Sequence, residues 1–423
     1  MEGLLEGCWG CLSNRAPPGF GRKLTTLLPR ENLNMKKFAL IASTAIVAAS
    51  SAFADGHLSS LSAAFPAVEA VQDELAAMGV STERDQEHKD KINPALEASP
   101  AAYNMVIGAN STFTAANSAG LVASITDVAG VADLPVSMKI EQGGEVVAIA
   151  FMANAQHLMV RDDLLAATGM DMPTTYEEVI ELADAVKAAG IMEYPLTGTY
   201  AAGWNLGEEF VNMWQGTGEP MFVNGTEANI DNAAGIATLN MMKALTDRMN
   251  PDFLTYNSDA VQGQFEQGTA GIANLWGSRA SKVMAGVEAL GHSATMGSAP
   301  TFGGGSTPAS TLWWDGFFFA ANQSDAALAD AVGAAISATG SVLSKDGNSD
   351  LAVWVLGDYE PTAAAAGVFA TASNGAPAYP MLPHMGKMHT ALGAELSEFL
   401  SGQESAEQAL DDIVAAYNAA MAE

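Results

Sequence analysis

Short apolar runs at residues 103–108, 146–152, 271–275 and 316–321 alternate with longer stretches whose apolar positions recur every three to four residues. The short runs fit buried strands and the long ones amphipathic helices laid on them, so the chain reads as α/β layers. Helices are expected at 173–190, 232–248, 325–339, 388–400 and 405–421. The best marked is PTTYEEVIELADAVKAAG, in which Thr175 caps, Glu178 reaches back as a capping box and Gly190 stops the helix. Val179, Leu182, Ala183 and Val186 share one face there, and Ala406, Leu410, Ile413, Val414 and Tyr417 do the same in the last helix. These stripes are read as core.

One apolar run is of another kind. Residues 35–54, MKKFALIASTAIVAASSAFA, place Lys36 and Lys37 before an apolar stretch that ends in the small-x-small triplet Ala52-Phe53-Ala54. This is the layout of a secretory signal peptide, too short to anchor in a bilayer. Cleavage before Asp55 and release into a periplasm are expected, and residues 1–34 are read as a start-site overcall. Both cysteines, Cys8 and Cys11, lie in that segment without a second pair or a histidine cluster nearby, so no metal or redox site is assigned to them. No cysteine follows the cut, which leaves no thiol for a lipid anchor.

The 369 residues after Ala54 suggest two domains. Of 18 basic and 48 acidic residues, six and three precede Asp55, leaving 12 against 45 and a net charge of −33. Such a field repels nucleic acid, and the basic clusters that neutralise phosphates are missing. The acidity is spread along the chain and is read as a solvated surface.

Several segments, in order, resemble the extracellular solute-binding proteins of ABC sugar importers, the maltose-binding-protein-like family. Residues 103–107 resemble the family's YDVV strand, 121–127 its GLLxPLTD and 144–151 its GKVYALPF. The most specific likeness is VRDDLLAATG followed by PTTYEE, similar to YNKDLFEKAGL with PPTTWDEL; residues 265–276 resemble FxxGKAAMxxxGxW and 400–410 resemble LxGxxSxEEAL. The resemblance implies two α/β lobes of a periplasmic binding protein fold, joined by hinge crossings, with a ligand cleft between them. Lobe 1 is expected at 55–150 with 316–345, and lobe 2 at 151–315 with 346–423. Residues 55–64 carry no apolar run like the strand with which the family opens, so no ligand contact is assigned to that edge.

Sugars present apolar C–H faces and a rim of hydroxyls, which flat aromatic rings and a few oriented polar groups recognise. Trp276 stands before Gly277-Ser278-Arg279, where the family places a stacking tryptophan. Trp313, Trp314 and Asp315 precede an apolar run near an expected hinge, with Asp315 an acceptor for paired hydroxyls; in an extended segment only one of the two tryptophans can face the ligand. Trp204 and Asn205 open a helix that the family uses on the cleft side. Asn110, Ser111 and Thr112 follow a strand at its carboxyl end, where open α/β sheets bind ligands, and Asn154 has a similar position. Arg279 is the one arginine placed near the cleft, which favours a neutral ligand over a multiply charged anion.

The function expected is a monomeric, non-catalytic receptor that passes a sugar, polyol or glycoside to an ABC permease, without cofactor, metal or nucleic acid. The alternatives are a receptor for a cationic or zwitterionic solute such as a polyamine or betaine, since tryptophans also cage ammonium groups, and a secreted glycoside hydrolase, which needs two carboxylates across a cleft. Met381, His384, Met385, Met388 and His389 suit copper by type, but a helix divides them between faces. Gly303-Gly304-Gly305-Ser306-Thr307 lacks the lysine of a phosphate-binding loop.

Overall fold

The computed structural model describes residues 57–85 and 88–422; the leader expected at 35–54, the segment before it and the expected cleavage point lie outside these residues. The first five strands, β1 (Ser59–Ser62), β2 (Ser81–Arg84), β3 (Met105–Ala109), β4 (Lys139–Gln142) and β5 (Glu145–Asn154), belong to one sheet. The next group, β6 (Gln156–Arg161), β7 (Leu196–Gly198), β10 (Ile272–Trp276) and β11 (Ala294–Met296), forms a second sheet, with β8 (Phe222–Val223) and β9 (Glu227–Ala228) paired apart. The chain then returns to the first sheet through β12 (Trp313–Phe319) and β13 (Val353–Trp354).

In the first sheet the order is β13-β5-β12-β3-β1-β2, with β4 also on β5. β1 runs parallel to β2 and β3, whereas β12 is antiparallel to both β3 and β5. Helices α1 (Pro66–Ala77), α2 (His88–Glu97) and α3 (Asn110–Ser118) connect its early strands. The second sheet, β11-β6-β10-β7, carries α4 (Asp162–Thr168), α5 (Tyr176–Ala188), α6 (Trp204–Gln215), α7 (Ala233–Thr246), α8 (Ser258–Gln267) and α9 (Ala280–Ala289) in its connections. α10 (Asp325–Ser341) goes back to the first sheet, and α11 (Ala366–Ser373), α12 (Met385–Leu400) and α13 (Ala406–Met421) follow β13.

Each sheet is covered on both faces, so its strands are apolar on both sides. On the first, Phe317 and Phe319 join Val71 and Val332 on one face while Phe318 meets Phe113 and Ile92 on the other. On the second, Leu158 and Ile272 pack with Phe210, Trp214 and Leu392, and Met159 and Ala273 with Phe265 and Val283.

The expected strands appear as β3, β5, β10 and β12, and the expected helices as α5, α7, α10, α12 and α13. The capping box of α5 is complete: the Glu178 amide donates to Thr175 Oγ1 at 3.1 Å and the Thr175 amide donates to Glu178 Oε2 at 3.2 Å. Residues 55–64 depart from expectation. The sequence SSLS forms β1 between β2 and β3, buried, because its polar groups find partners on other elements: Ser60 Oγ donates to Gln72 Oε1 at 2.7 Å and the Ser59 amide to Asn104 Oδ1 at 2.9 Å. A buried polar strand is tolerated when each group finds such a partner.

A single residue, Ala155, separates β5 of one sheet from β6 of the other. The chain crosses back between β11 and β12, and again between β13 and α11, where Ala155, Val353, Ala365 and Val368 pack together. Val353 and Trp354 pair with Ala153 and Met152 of β5, although the sequence reading grouped 346–423 with the second lobe; the returning chain adds an edge strand before it crosses.

Candidate functional site

A cavity of about 770 Å³ opens between the lobes. One wall comes from the first sheet and its helices: Ala63 and Phe65 after β1, His88, Lys89 and Asp90 at the start of α2, Ser111 and Thr112 at the start of α3, and Asn154 and Asp315 on β5 and β12. The other comes from the second: Trp204 and Asn205 opening α6, Asn257 to Asp259 opening α8, Trp276, Ser278 and Arg279 after β10, and His389 and Thr390 on α12.

Three tryptophans form a continuous apolar surface here. Trp204 and Trp276 lie nearly parallel with ring centroids 6.4 Å apart, and Trp313 stands edge-on to both, at 5.7 Å and 5.6 Å. The backbone leading into Trp204 is held by close packing at Gly203. Its φ of +92° suits glycine, and a Cβ on Gly393 of α12 would lie 2.4 Å from its carbonyl oxygen. Gly207 of α6 adds to this close approach, since its Cβ would lie 2.8 Å from the His389 carbonyl oxygen of α12.

Behind the wall is a buried polar layer. His389 stacks on Trp204 at 4.9 Å; its Nε2 is 2.8 Å from the Trp204 carbonyl and its Nδ1 is 3.0 Å from the Tyr379 hydroxyl. A carbonyl only accepts, so Nε2 carries the proton and Nδ1 accepts from Tyr379. Burial holds this imidazole neutral by pulling its pKa down to about 4. The Trp313 indole N–H is 2.7 Å from Thr311 Oγ1 and 3.2 Å from Glu208 Oε1. Glu208 is fully enclosed, and desolvation pushes its pKa well above the carboxylate range; its neighbour Glu209, bonded to Gln156 and Thr199, is raised to about 7.

Of the residues expected at the site, Trp204, Asn205, Ser111, Asn154, Trp276, Arg279, Trp313 and Asp315 line the cavity. Trp314 does not. Strand alternation sends it to the opposite face of β12, where its ring meets Phe113 at 5.4 Å. Asn110 is the first residue of α3, 1% exposed, and is likewise absent from the lining.

Asn154 is a joint between the two walls: its Oδ1 accepts from the Ser278 amide and its Nδ2 donates to Ser278 Oγ, both at 3.2 Å. Arg279 pairs with Asp259 at 2.9 Å. Burial lowers its pKa, and Asp259 and Glu69 of α1 work against that shift. Desolvation raises the Asp315 carboxyl to about 7, with nearby Lys89 opposing the rise.

Sequence reasoning missed Lys89, Asp90, Asp259, Ser278 and Thr390. Lys89 and Asp90 sit in a polar, helix-forming segment, HKDK, that looks like any solvated surface. His389 was noticed only as a copper candidate; its two nitrogens are engaged by Trp204 and Tyr379, and Met385 and Met388 of that set are buried in the second-lobe core. Among the described residues no cluster of three or more His, Cys, Asp or Glu side chains is placed to hold a metal ion.

The fold has many relatives of known structure. A solute-binding protein of an ABC transporter from Agrobacterium radiobacter K84, solved with ribitol, superposes with a TM-score of 0.73 at 19% identity, covering 85% of this chain and 97% of that one. Its counterpart from Agrobacterium vitis S4 with D-mannitol gives 0.72 at 19%, covering 86% and 98%, and maltose-bound MalE3 of T. maritima gives 0.70 at 18%, covering 86% and 99%. No curated protein matches the sequence. Residues 80–356 match the family model described as bacterial extracellular solute-binding protein, a span that contains the second sheet, every strand of the first but β1, and most of the cavity wall, and the chain belongs to that family.

Proposed function

We propose that this protein is a periplasmic receptor that captures a neutral carbohydrate, a sugar or polyol, in the cleft between its lobes and delivers it to the permease of an ABC importer. The observation that carries this reading is the cavity itself: three mutually packed tryptophans, Trp204, Trp276 and Trp313, line it together with the Asp315 carboxyl and the Ser111 and Thr112 hydroxyls. Rings take the C–H faces of a sugar and the polar groups take its hydroxyls. Neighbours of the same fold, solved with ribitol, mannitol and maltose, support the ligand class.

In this reading Trp204, Trp276 and Trp313 offer their rings to the ligand, Asp315 accepts from adjacent hydroxyls, and Asn205, Ser111 and Asn154 supply further hydrogen bonds. Asn154 also reports on closure, since it spans the two walls through Ser278. Among the described residues, the first lobe comprises 57–154 with 313–356, and the second comprises 156–311 with 363–422. A ligand touching both lobes stabilises the closed arrangement by its differential contacts alone, so the protein acts by binding, as a monomer, without chemistry on its cargo.

A thermal-shift screen of residues 55–423 against sugars, polyols, betaines and polyamines tests this. A neutral sugar or polyol is expected to stabilise the fold by about 2.7 kcal/mol at a hundredfold excess over its dissociation constant. Stabilisation by a betaine or polyamine and by no carbohydrate would overturn the reading.

A further inference from the structure

Trp204 has two faces, and both are occupied. His389 stacks on the ring at 4.9 Å with a 19° tilt, and the Lys89 ammonium lies 3.3 Å from the ring centroid. A ring stacked that closely leaves no room for an ammonium beside it, so Lys89 covers the other face, the one turned to the cavity. The two partners come from different lobes: Lys89 is in the first turn of α2, packed on α3 of the first lobe, and Trp204 opens α6 of the second. The ammonium is central to the site, since its field acts on Asp315, on Glu208 and on His389.

We propose that Lys89 is a specificity-determining residue whose ammonium competes with the ligand for the Trp204 platform and must leave it when a ligand stacks there. This rests on the carbohydrate reading of the cleft and deepens it. A cation over an indole face is a good mimic of any ligand that binds the same face, so it competes with the ligand for the ring. Two consequences follow for the choice of ligand. A neutral polyhydroxylated molecule displaces the ammonium from the ring, breaking the cation–π contact, and leaves Lys89 in a cavity where Asp90 and Asp315 are at hand. A cationic ligand meets a like charge already seated on the platform and is rejected, although tryptophans and an acidic field would otherwise suit it. The same contact links the lobes.

Two measurements test this, with ribitol, mannitol and maltose as neutral probes and choline as the cationic one. In proton NMR of the ligand-free protein, the Lys89 ε-methylene signal should be shifted upfield by the ring current of Trp204, and should return toward its ordinary position on saturation with a neutral probe that binds. In titration calorimetry, Lys89→Ala should bind that probe more tightly than the wild type, by about two- to thirtyfold, the range spanned by exposed and desolvated cation–π contacts. Lys89→Arg, which keeps a cation over the ring, should not. Weaker binding by Lys89→Ala would make the ammonium a ligand contact and overturn the proposal. So would an upfield shift that persists in the complex, or choline binding to the wild type as tightly as the neutral probe. If no neutral probe binds, the carbohydrate reading fails; if the free protein lacks the upfield shift, this inference fails while the carbohydrate reading stands.

Discussion

Asp315→Asn separates what the cleft needs for binding from what the fold would prefer. The carboxyl is 9% exposed, and burial raises its pKa from 3.8 to about 7. Between those values the folded protein holds a proton that the unfolded chain has released, so this residue makes stability fall as pH rises from about 4 to about 7, and its effect is constant above. A shift of about three units corresponds to roughly 4 kcal/mol as a ceiling, and to about half that once the site relaxes around the charge. Asparagine fills the same space without titrating. Measured by urea denaturation at pH 4, 6 and 8, the stability of Asp315→Asn relative to wild type should therefore rise with pH, by about 2–4 kcal/mol between the extremes. Glu208, Glu209, His157 and His389 titrate in both proteins and drop out of the difference. Calorimetry at pH 8 should show the opposite trend in function, an affinity loss of about tenfold or more, because a charge-assisted hydrogen bond to the ligand has gone. A stability difference that is flat with pH, or that grows toward acid, would refute the reasoning.

Trp276→Ala should weaken the carbohydrate ligand at least about tenfold in calorimetry while leaving the circular dichroism of the fold unchanged, because a buried aromatic at a binding hot spot commonly contributes about 2 kcal/mol or more; equal affinity would remove Trp276 from the site. Gly393→Ala should lower stability by about 1–3 kcal/mol in denaturant melts, since its Cβ would sit 2.4 Å from the Gly203 carbonyl oxygen, and should weaken binding through displacement of Trp204. Exported protein should begin at Asp55 by mass spectrometry, as the Ala52-Phe53-Ala54 triplet implies; retention of residues 1–34 would reject the cleavage assignment.

Much of the architecture was legible because its signals are local. The Thr175/Glu178 capping box, the helical stripe of α13 and the apolar runs of β3, β5, β10 and β12 each follow from spacing within a few residues. Trp276 and Asp315 were recognisable by type and by their place next to strands. β1 was not, because SSLS has one apolar residue and its burial depends on Gln72 and Asn104, twelve and 45 residues away from their partners. Lys89 was invisible for the same reason: it matters only once folding sets α2 of one lobe against Trp204 of the other. Which of Trp313 and Trp314 faces the cleft was undecided until the alternation of β12 had a fixed phase, set by its pairing with β3 and β5.

The central claim is that the tryptophan-lined cleft holds a neutral carbohydrate, and titration with the polyol or sugar that stabilises the protein most, followed by intrinsic fluorescence and calorimetry at low and high salt, tests it most directly. The account predicts a saturable change in tryptophan emission, matched by heat of binding, with a dissociation constant nearly independent of ionic strength, since an uncharged ligand feels little of the strongly negative field of the chain. Binding that weakens steeply with salt, or that leaves the tryptophan emission untouched, would contradict it.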